Sequence, residues 1–249
     1  MRNKRDSKDK RKVTKRWFGA WSNEYDNTLG KIEFHRKLLD LIIALSGVKR
    51  SDKVLDIGCG TGLLSLRFLR AADCRITGID NSKEMLAIFK DKIRRLGLEN
   101  RIKCETMDAS CPSFEENAFD IIASTVTLHH LKDKHKPLKK IYRALKPGGK
   151  LLIGDIDMDT TGRHTDIKRL KRILEVLKYE WIYALRDAGI PAFIRMFDNG
   201  KKHIFNEGEY CLGFKQWADL CKAAGFKRVT VKPVKGHEKF KVLTAVKTP

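Results

Sequence analysis

The sequence predicts an α/β chain whose core is a doubly wound, mostly parallel sheet. Seven short runs of strand character are spread along the chain, the first five of them separated by helical patterns. The first run passes into a glycine-rich turn that opens a helix. Helical stretches of this kind make right-handed crossovers between parallel strands.

In chain order, Trp17 to Ser46 reads as an N-terminal helix. Phe34, Leu38, Leu41, Ile42 and Leu45 repeat at helical spacing, Trp17, Phe18 and Trp21 sit near its start, and Gly47 ends it. Lys53–Ile57 is the first strand and Leu63–Ala72 the next helix. Arg75–Asp80 is the second strand, followed by an amphipathic helix over Lys83–Leu96 that Gly97 closes. Arg101–Thr106 and Phe119–Ser124 are the third and fourth strands. Pro137–Leu145 is a helix stopped by Pro147-Gly148-Gly149, and Lys150–Ile156 is the fifth strand. Residues 157–208 break the rhythm with a basic helix (Ile167–Ala188), the Gly189-Ile190-Pro191 break and the polar stretch Asn199–His203. A long insertion beside a regular scaffold covers or shapes a binding site. The helix Phe214–Ala224 and two strands, Arg228–Val231 and Phe240–Val246, complete the chain.

Composition places this in one domain of 249 residues, 42% hydrophobic. No apolar run approaches the roughly 18 residues of a membrane-spanning helix. The charged N-terminus does not read as a secretory signal. Six scattered cysteines without a C-x-x-C pair predict reduced thiols in a cytoplasmic protein, and no zinc site. The net charge is +21. Residues 1–16 read as a basic, disordered arm ahead of a domain over 17–249, with nine Lys and Arg against Asp6 and Asp9 between residues 2 and 16. Such an arm favours weak contact with nucleic acid or an anionic surface, set against a plain role in solubility. No basic stripe is interleaved with aromatics as on an RNA-binding face.

Chemistry concentrates in Val54-Leu55-Asp56-Ile57-Gly58-Cys59-Gly60-Thr61-Gly62. Glycine permits the tight turn from strand to helix and lets a ligand lie against bare N–H groups. A dinucleotide fingerprint G-x-G-x-x-G would need glycine where Leu63 stands. Asp56 beside the turn would repel a pyrophosphate but attract the ammonium and sulfonium of S-adenosyl-L-methionine. Asp80 ends the second strand, placed to accept both hydroxyls of an adenosine ribose. Asp108, after the third strand, can accept from the adenine amino group. All three carboxylates fall at or just beyond C-terminal strand ends, the ligand crevice of an open α/β sheet.

VLDIGCGTG, GIDNSKEML, the Asp108-Ala109 pair, FDIIASTVTLHHL and LKKIYRALKPGGKLLIGDID together resemble the successive motifs of class I methyltransferases. The chain is most similar to the small-molecule group that includes the ubiquinone/menaquinone C-methyltransferases. GFKQWADLCKAAGF and the two strands after it resemble that family's final helix and reversed strand pair. The resemblance implies a Rossmann-like, seven-stranded sheet with a reversed last strand, an N-terminal helix and a helical insertion before the last two strands. It implies that Asp56, Gly58, Cys59 and Gly60 hold the methionine portion of the donor and that Asp80 binds its ribose. Asn81 and Met85 would border the adenosine, Asp108 and Ala109 hold the adenine, and Ser124 lie beside the methionine tail. Tyr25 resembles the aromatic that covers the donor site in relatives.

His130, of the His129-His130 pair, and Asp155 are the catalytic candidates. Each has an alternative role, the histidine as a structural side chain and the aspartate as a helix cap or solvated group. The leading function is methyl transfer to a small-molecule acceptor. Two others stay open: methylation of RNA or protein with the arm as grip, and donor binding without catalysis. The sequence lacks the N-P-P-Y or D-P-P-Y tetrad of amino-group nucleic-acid methylases and any paired cysteines suited to C5 pyrimidine chemistry.

Overall fold

A computed structural model describes residues 21–163, 165–205 and 209–248; the basic arm lies outside the described residues. The helical elements are α1 (Glu33–Ser46), α2 (Leu63–Ala71), α3 (Lys83–Arg95), α4 (His135–Ala144), α5 (Ile167–Phe205) and α6 (Phe214–Ala223), besides short turns at residues 22–28 and 128–130. The strands are β1 (Lys53–Ile57), β2 (Arg75–Asp80), β3 (Ile102–Thr106), β4 (Phe119–Thr125), β5 (Leu145–Ile156), β6 (Lys227–Val234) and β7 (His237–Val246).

One seven-stranded sheet runs in the order β3-β2-β1-β4-β5-β7-β6. The first five strands pair in parallel, and β7 enters antiparallel between β5 and β6. The Rossmann-like sheet with a reversed last strand is therefore present as the sequence implied. β1 and β4 sit at its centre, and Val54, Leu55 and Ile57 are buried between helical layers on the two faces. Buried parallel strands carry such near-continuous apolar runs. On one face α1 and α2 bring Phe34, Leu38, Ile42, Leu64 and Phe68 into the core. On the other, α4 and α6 contribute Leu138, Ile141, Phe214 and Trp217.

Three local features depart from the sequence reading. Of the helix expected over Trp17–Ser46, residues 17–20 lie outside the described residues, and residues 21–46 are not one helix. A short turn over 22–28 is followed by Gly30 and an extended Ile32 before α1 starts at Glu33. Helical periodicity on both sides hid the break. Strand β5 reaches back to Leu145, with Pro147-Gly148-Gly149 forming an irregularity inside it rather than a helix stop. In the insertion, Asn199–His203 is helical. Residue Gly189, at φ +77°, joins two helices that fold back on each other, so the Trp181 indole N–H donates to the Met196 carbonyl at 3.1 Å. Trp181 lies against Gly200, whose missing side chain lets the helices approach. Among the described residues no helix is long and apolar enough to cross a membrane.

The turn after β1 is fixed by packing as well as by backbone freedom. A Cβ on Gly62 would stand 2.1 Å from the Phe89 ring, at φ +89°, whereas one on Gly60 would meet nothing within 4 Å. Gly62→Ala is expected to cost about 2–4 kcal/mol through overpacking and left-handed strain, and Gly60→Ala about 1–2 kcal/mol from strain alone. Urea unfolding of the two variants checks this; equal losses would contradict it.

Candidate functional site

The C-terminal ends of β1, β2, β3 and β4 open onto two adjoining clefts of about 680 and 310 Å³ that share Tyr25, Gly58 and Gly60. The smaller holds Asp56 and Cys59; the larger holds Asp80, Asn81, Met85, Asp108 and Ala109. Together they make an elongated site with an acidic group at each end and bare backbone between.

Asp56 is buried, and its Oδ2 accepts the Ser65 hydroxyl at 2.6 Å. Its Oδ1 has no hydrogen-bond partner among the described residues. Burial pushes this carboxyl up to about 7, against the Ser65 hydrogen bond and helped by the nearby Asp80 charge. A buried carboxylate oxygen without a donor marks a place for a cationic ligand group. Asp80 accepts the Gly60 N–H at 2.9 Å and the Ser82 N–H at 2.8 Å; burial raises its carboxyl, and these backbone donors oppose the shift. Gly58 and Cys59 donate to the Ile79 carbonyl at 2.8 and 3.0 Å, which seats the glycine turn on β2. Asp108 accepts the Ser110 N–H at 2.8 Å and stands at the far wall of the larger cleft.

Tyr25 covers both clefts from the turn that precedes α1. Burial, then the charges of Asp80, Asp26 and Asp56, raise its phenol. Trp21 packs edge-on against the ring with centroids 4.8 Å apart. Beside it Asp26 accepts the Thr61 hydroxyl at 2.6 Å and pairs with Lys92. The insertion braces the same segment through Arg195 to Glu24 at 3.3 Å, and α1 through Asp187, which accepts the Glu33 N–H at 2.8 Å.

The fourth strand end differs from expectation. Ser124 lines neither cleft; its buried hydroxyl donates to the Ile57 carbonyl at 2.9 Å and so couples β4 to β1. Thr125, Val126 and Thr127 form the wall instead. The chain turns sharply there, with Val126 at φ +47°, a conformation costly for a β-branched residue that persists only where surroundings enforce it. Thr127 fills the space over Gly58, where a Cβ would lie 2.2 Å from its side chain. Nothing in the local sequence pattern signals this kink.

His130 lines the larger cleft, and its Nδ1 lies 2.9 Å from Glu209. Asp155 does not reach the cleft. It is buried behind it, where its carboxylate meets His129 Nδ1 at 2.8 Å. Against burial, which alone would lower it, Asp155 and Glu209 push the His129 imidazole up to about 10. Glu209 is the residue that sequence reading missed. It sits in a loop after a polar stretch, and only the fold brings it under His129 and His130.

Residues 54–149 match a family model described as a methyltransferase domain. The chain is 29% identical to 27-O-demethylrifamycin SV methyltransferase of Amycolatopsis mediterranei, over 69% of this chain and 65% of that one. It is 34% identical to the ubiquinone/menaquinone biosynthesis C-methyltransferase of Haemophilus ducreyi, over 58% of each. The chain thus spans less than two thirds of the length of these curated relatives. Among solved structures, the fold is similar to the methyltransferase in complex with the Haloferax volcanii Trm112 methyltransferase activator. That match has a TM-score of 0.68 at 16% identity and covers 93% of this chain and 98% of that one. It is also similar to Haemonchus contortus phosphoethanolamine N-methyltransferase 2 in complex with phosphomonomethylethanolamine and S-adenosylhomocysteine. Here the TM-score is 0.66 at 19% identity, with 93% of this chain and 57% of that one covered.

The buried Asp56 makes stability depend on pH. Its carboxyl titrates at about 7 in the folded protein and at 3.8 when unperturbed, so the folded form binds the extra proton between those values. Its favourable contribution is complete below about pH 4 and is lost as pH rises through 7. Asp56→Asn is therefore expected to melt above the wild type at pH 8, with the gap closing by pH 4. Parallel melting curves that keep the same separation at every pH would contradict this.

Proposed function

We propose that this chain, of which residues 54–149 match a methyltransferase domain, is a class I S-adenosylmethionine-dependent methyltransferase that transfers the methyl group of S-adenosyl-L-methionine to a small-molecule acceptor. The observation that carries the proposal is the buried Asp56 carboxylate with one unpartnered oxygen, beside a glycine turn whose Gly60 opens on empty space. A zwitterionic methionine tail fits that donor set, and the carboxylates of Asp80 and Asp108 fit the nucleoside end.

When bound, the donor supplies a methyl group already activated by its sulfonium. Most of the acceleration then comes from aligning nucleophile and methyl carbon. In this reading Asp56 holds the donor ammonium, while the Gly58, Cys59 and Gly60 backbone faces the methionine portion. Asp80 takes the ribose hydroxyls, Asn81 and Met85 border the nucleoside, and Asp108 with Ala109 holds the adenine. Tyr25 closes over the site and excludes water. Ser124 acts as a positioning residue by joining β4 to β1. His130 borders the larger cleft with its ring nitrogens buried, and contributes to the reaction by shaping the wall that an acceptor would meet. Asp155 acts through His129, whose ring it fixes. The helical insertion over residues 157–208 shapes the acceptor side.

The printed activities of the curated relatives, on a rifamycin and in quinone biosynthesis, support a small-molecule acceptor. Six cysteines without a disulfide support a cytoplasmic setting. The excess positive charge supports a further weak contact of the arm with nucleic acid or an anionic surface. Binding to RNA that weakens steeply with salt is its readout.

Isothermal titration with S-adenosyl-L-methionine and, in parallel, NAD tests the donor. Binding of the first alone is expected, and Asp80→Ala is expected to weaken it by about 1–3 kcal/mol because ribose hydroxyls lose a buried partner. Binding of neither compound would overturn the proposal, and unchanged affinity in the variant would overturn the ribose assignment.

A further inference from the structure

Behind the cleft wall lies a closed group of nitrogen, oxygen and sulfur donors that methyl transfer does not require. His129, His203, Glu209 and Cys211 are all buried. His129 Nε2 lies 3.3 Å from Glu209 Oε2, His203 Nδ1 lies 4.0 Å from the same oxygen, and Cys211 Sγ lies 3.5 Å from His203 Nδ1. The donor atoms of His129, Glu209 and Cys211 all fall within 4.8 Å of one another. We propose that His129, Glu209 and Cys211 hold a divalent metal ion of the zinc class, with His203 beside the site.

Spacing is the first argument. A tetrahedral ion with bonds of about 2.0–2.3 Å separates its ligand atoms by roughly 3.3–3.8 Å. The 3.3 Å between His129 Nε2 and Glu209 Oε2 lies in that range and exceeds an optimal charge-assisted hydrogen bond of about 2.7–2.9 Å. Alignment is the second. Neither carboxylate oxygen of Glu209 makes an aligned hydrogen bond among the described residues, although imidazole nitrogens crowd it. Cys211 Sγ and His203 Nδ1 are hydrogen-bonded at 3.5 Å, so it is the Glu209 carboxylate that is left facing the group without an aligned partner among the described residues.

The ring of His129 is set for ligation. Asp155 occupies its Nδ1 at 2.8 Å and leaves Nε2 for the cluster, the carboxylate–histidine arrangement that fixes tautomer and orientation in metal sites. The remaining donors are pinned by backbone contacts. Tyr210 N–H donates to the His129 carbonyl at 2.9 Å, and Lys134 Nζ donates to the Tyr210 carbonyl at 2.7 Å. Thr160 N–H donates to the Cys211 carbonyl at 3.1 Å. The buried Arg169 guanidinium donates to the carbonyls of Thr160 at 2.8 Å, His203 at 2.8 Å and Ile204 at 3.0 Å. These bonds hold the end of α5 and the segment at 209–211 against the exit of β5.

Imidazole, thiolate and one carboxylate select a borderline ion over magnesium or calcium, which take oxygen donors. Binding displaces the Cys211 thiol proton and the His129 Nε2 proton to solvent and forms metal–sulfur and metal–nitrogen bonds without any redox step. The ion locks the segment at 209–211 to the strand-four loop directly behind His130.

The test uses the untagged full chain purified from zinc-supplemented cells. Elemental analysis after dialysis is expected to find about one zinc per chain. Replacement by cobalt is expected to give a thiolate charge-transfer band in the near ultraviolet, absent in Cys211→Ser. Asp155→Asn is expected to weaken zinc affinity by about 10–100-fold, with circular dichroism verifying that each variant is folded. The wild-type cobalt spectrum stands even if a variant fails to fold. No bound zinc and no cobalt band with excess ion would overturn the proposal, leaving a network of imidazolium–carboxylate pairs. A cobalt band that persists in Cys211→Ser would overturn the ligand assignment. Donor binding is measured separately by calorimetry, so failure of either reading leaves the other standing.

Discussion

The Asp80 carboxylate accepts the Gly60 N–H at 2.9 Å and the Ser82 N–H at 2.8 Å, and so ties the turn after β1 to the turn after β2. It joins the bonds of Gly58 and Cys59 to the Ile79 carbonyl and of the Gly62 N–H to the Cys59 carbonyl in fixing a turn whose glycines sit at positive φ. With the turn fixed, Asp56 is left buried at the end of the central strand, one oxygen bound to Ser65 and the other facing the smaller cleft. The N-terminal turn then closes over the same loop through Asp26 and Thr61. Cleft, lid and acidic ends all rest on this pair of backbone-to-carboxylate bonds.

Burying carboxylates without full partners opposes folding, and the two sides of the site meet that cost differently. In the cleft, Asp56 keeps an unsatisfied oxygen and a raised carboxyl, a defect that a cationic ligand removes. Behind the wall, Asp155 is compensated from within the protein by His129, whereas Glu209 is approached by the imidazoles of His129 and His130 without an aligned hydrogen bond among the described residues. This second group is enclosed, and its donors are held by backbone bonds that do not reorganise easily. His130 stands between them, on the cleft wall and in contact with Glu209.

The centre of the sheet was legible because β1, β4 and the end of β5 are buried and largely apolar. The first two strands start and stop where residue type alone put them, as does the turn that follows β1. Asp56, Asp80 and Asp108 could be placed because a carboxylate after an apolar run must lie at a strand end. What escaped reading depends on contacts distant in sequence. The break at Gly30–Ile32 looks helical by periodicity, yet it is what turns Tyr25 over the clefts. Ser124 and Asp155 lie at strand ends like the others. The Val126 kink and the pull of His129 turn both away from the cleft.

Sequence by itself determined the order of strands and helices, the glycine turn and the acidic strand ends, because these follow from local backbone preference and from burial of continuous apolar runs. Only the tertiary structure decided which side chains share a space. It folded the insertion back on itself at Gly189 and carried His203, Glu209 and Cys211 to the strand-four loop. Side-chain convergence across distant segments is set by packing of whole elements and by bonds such as those of Arg169. No short-range pattern in the chain encodes it.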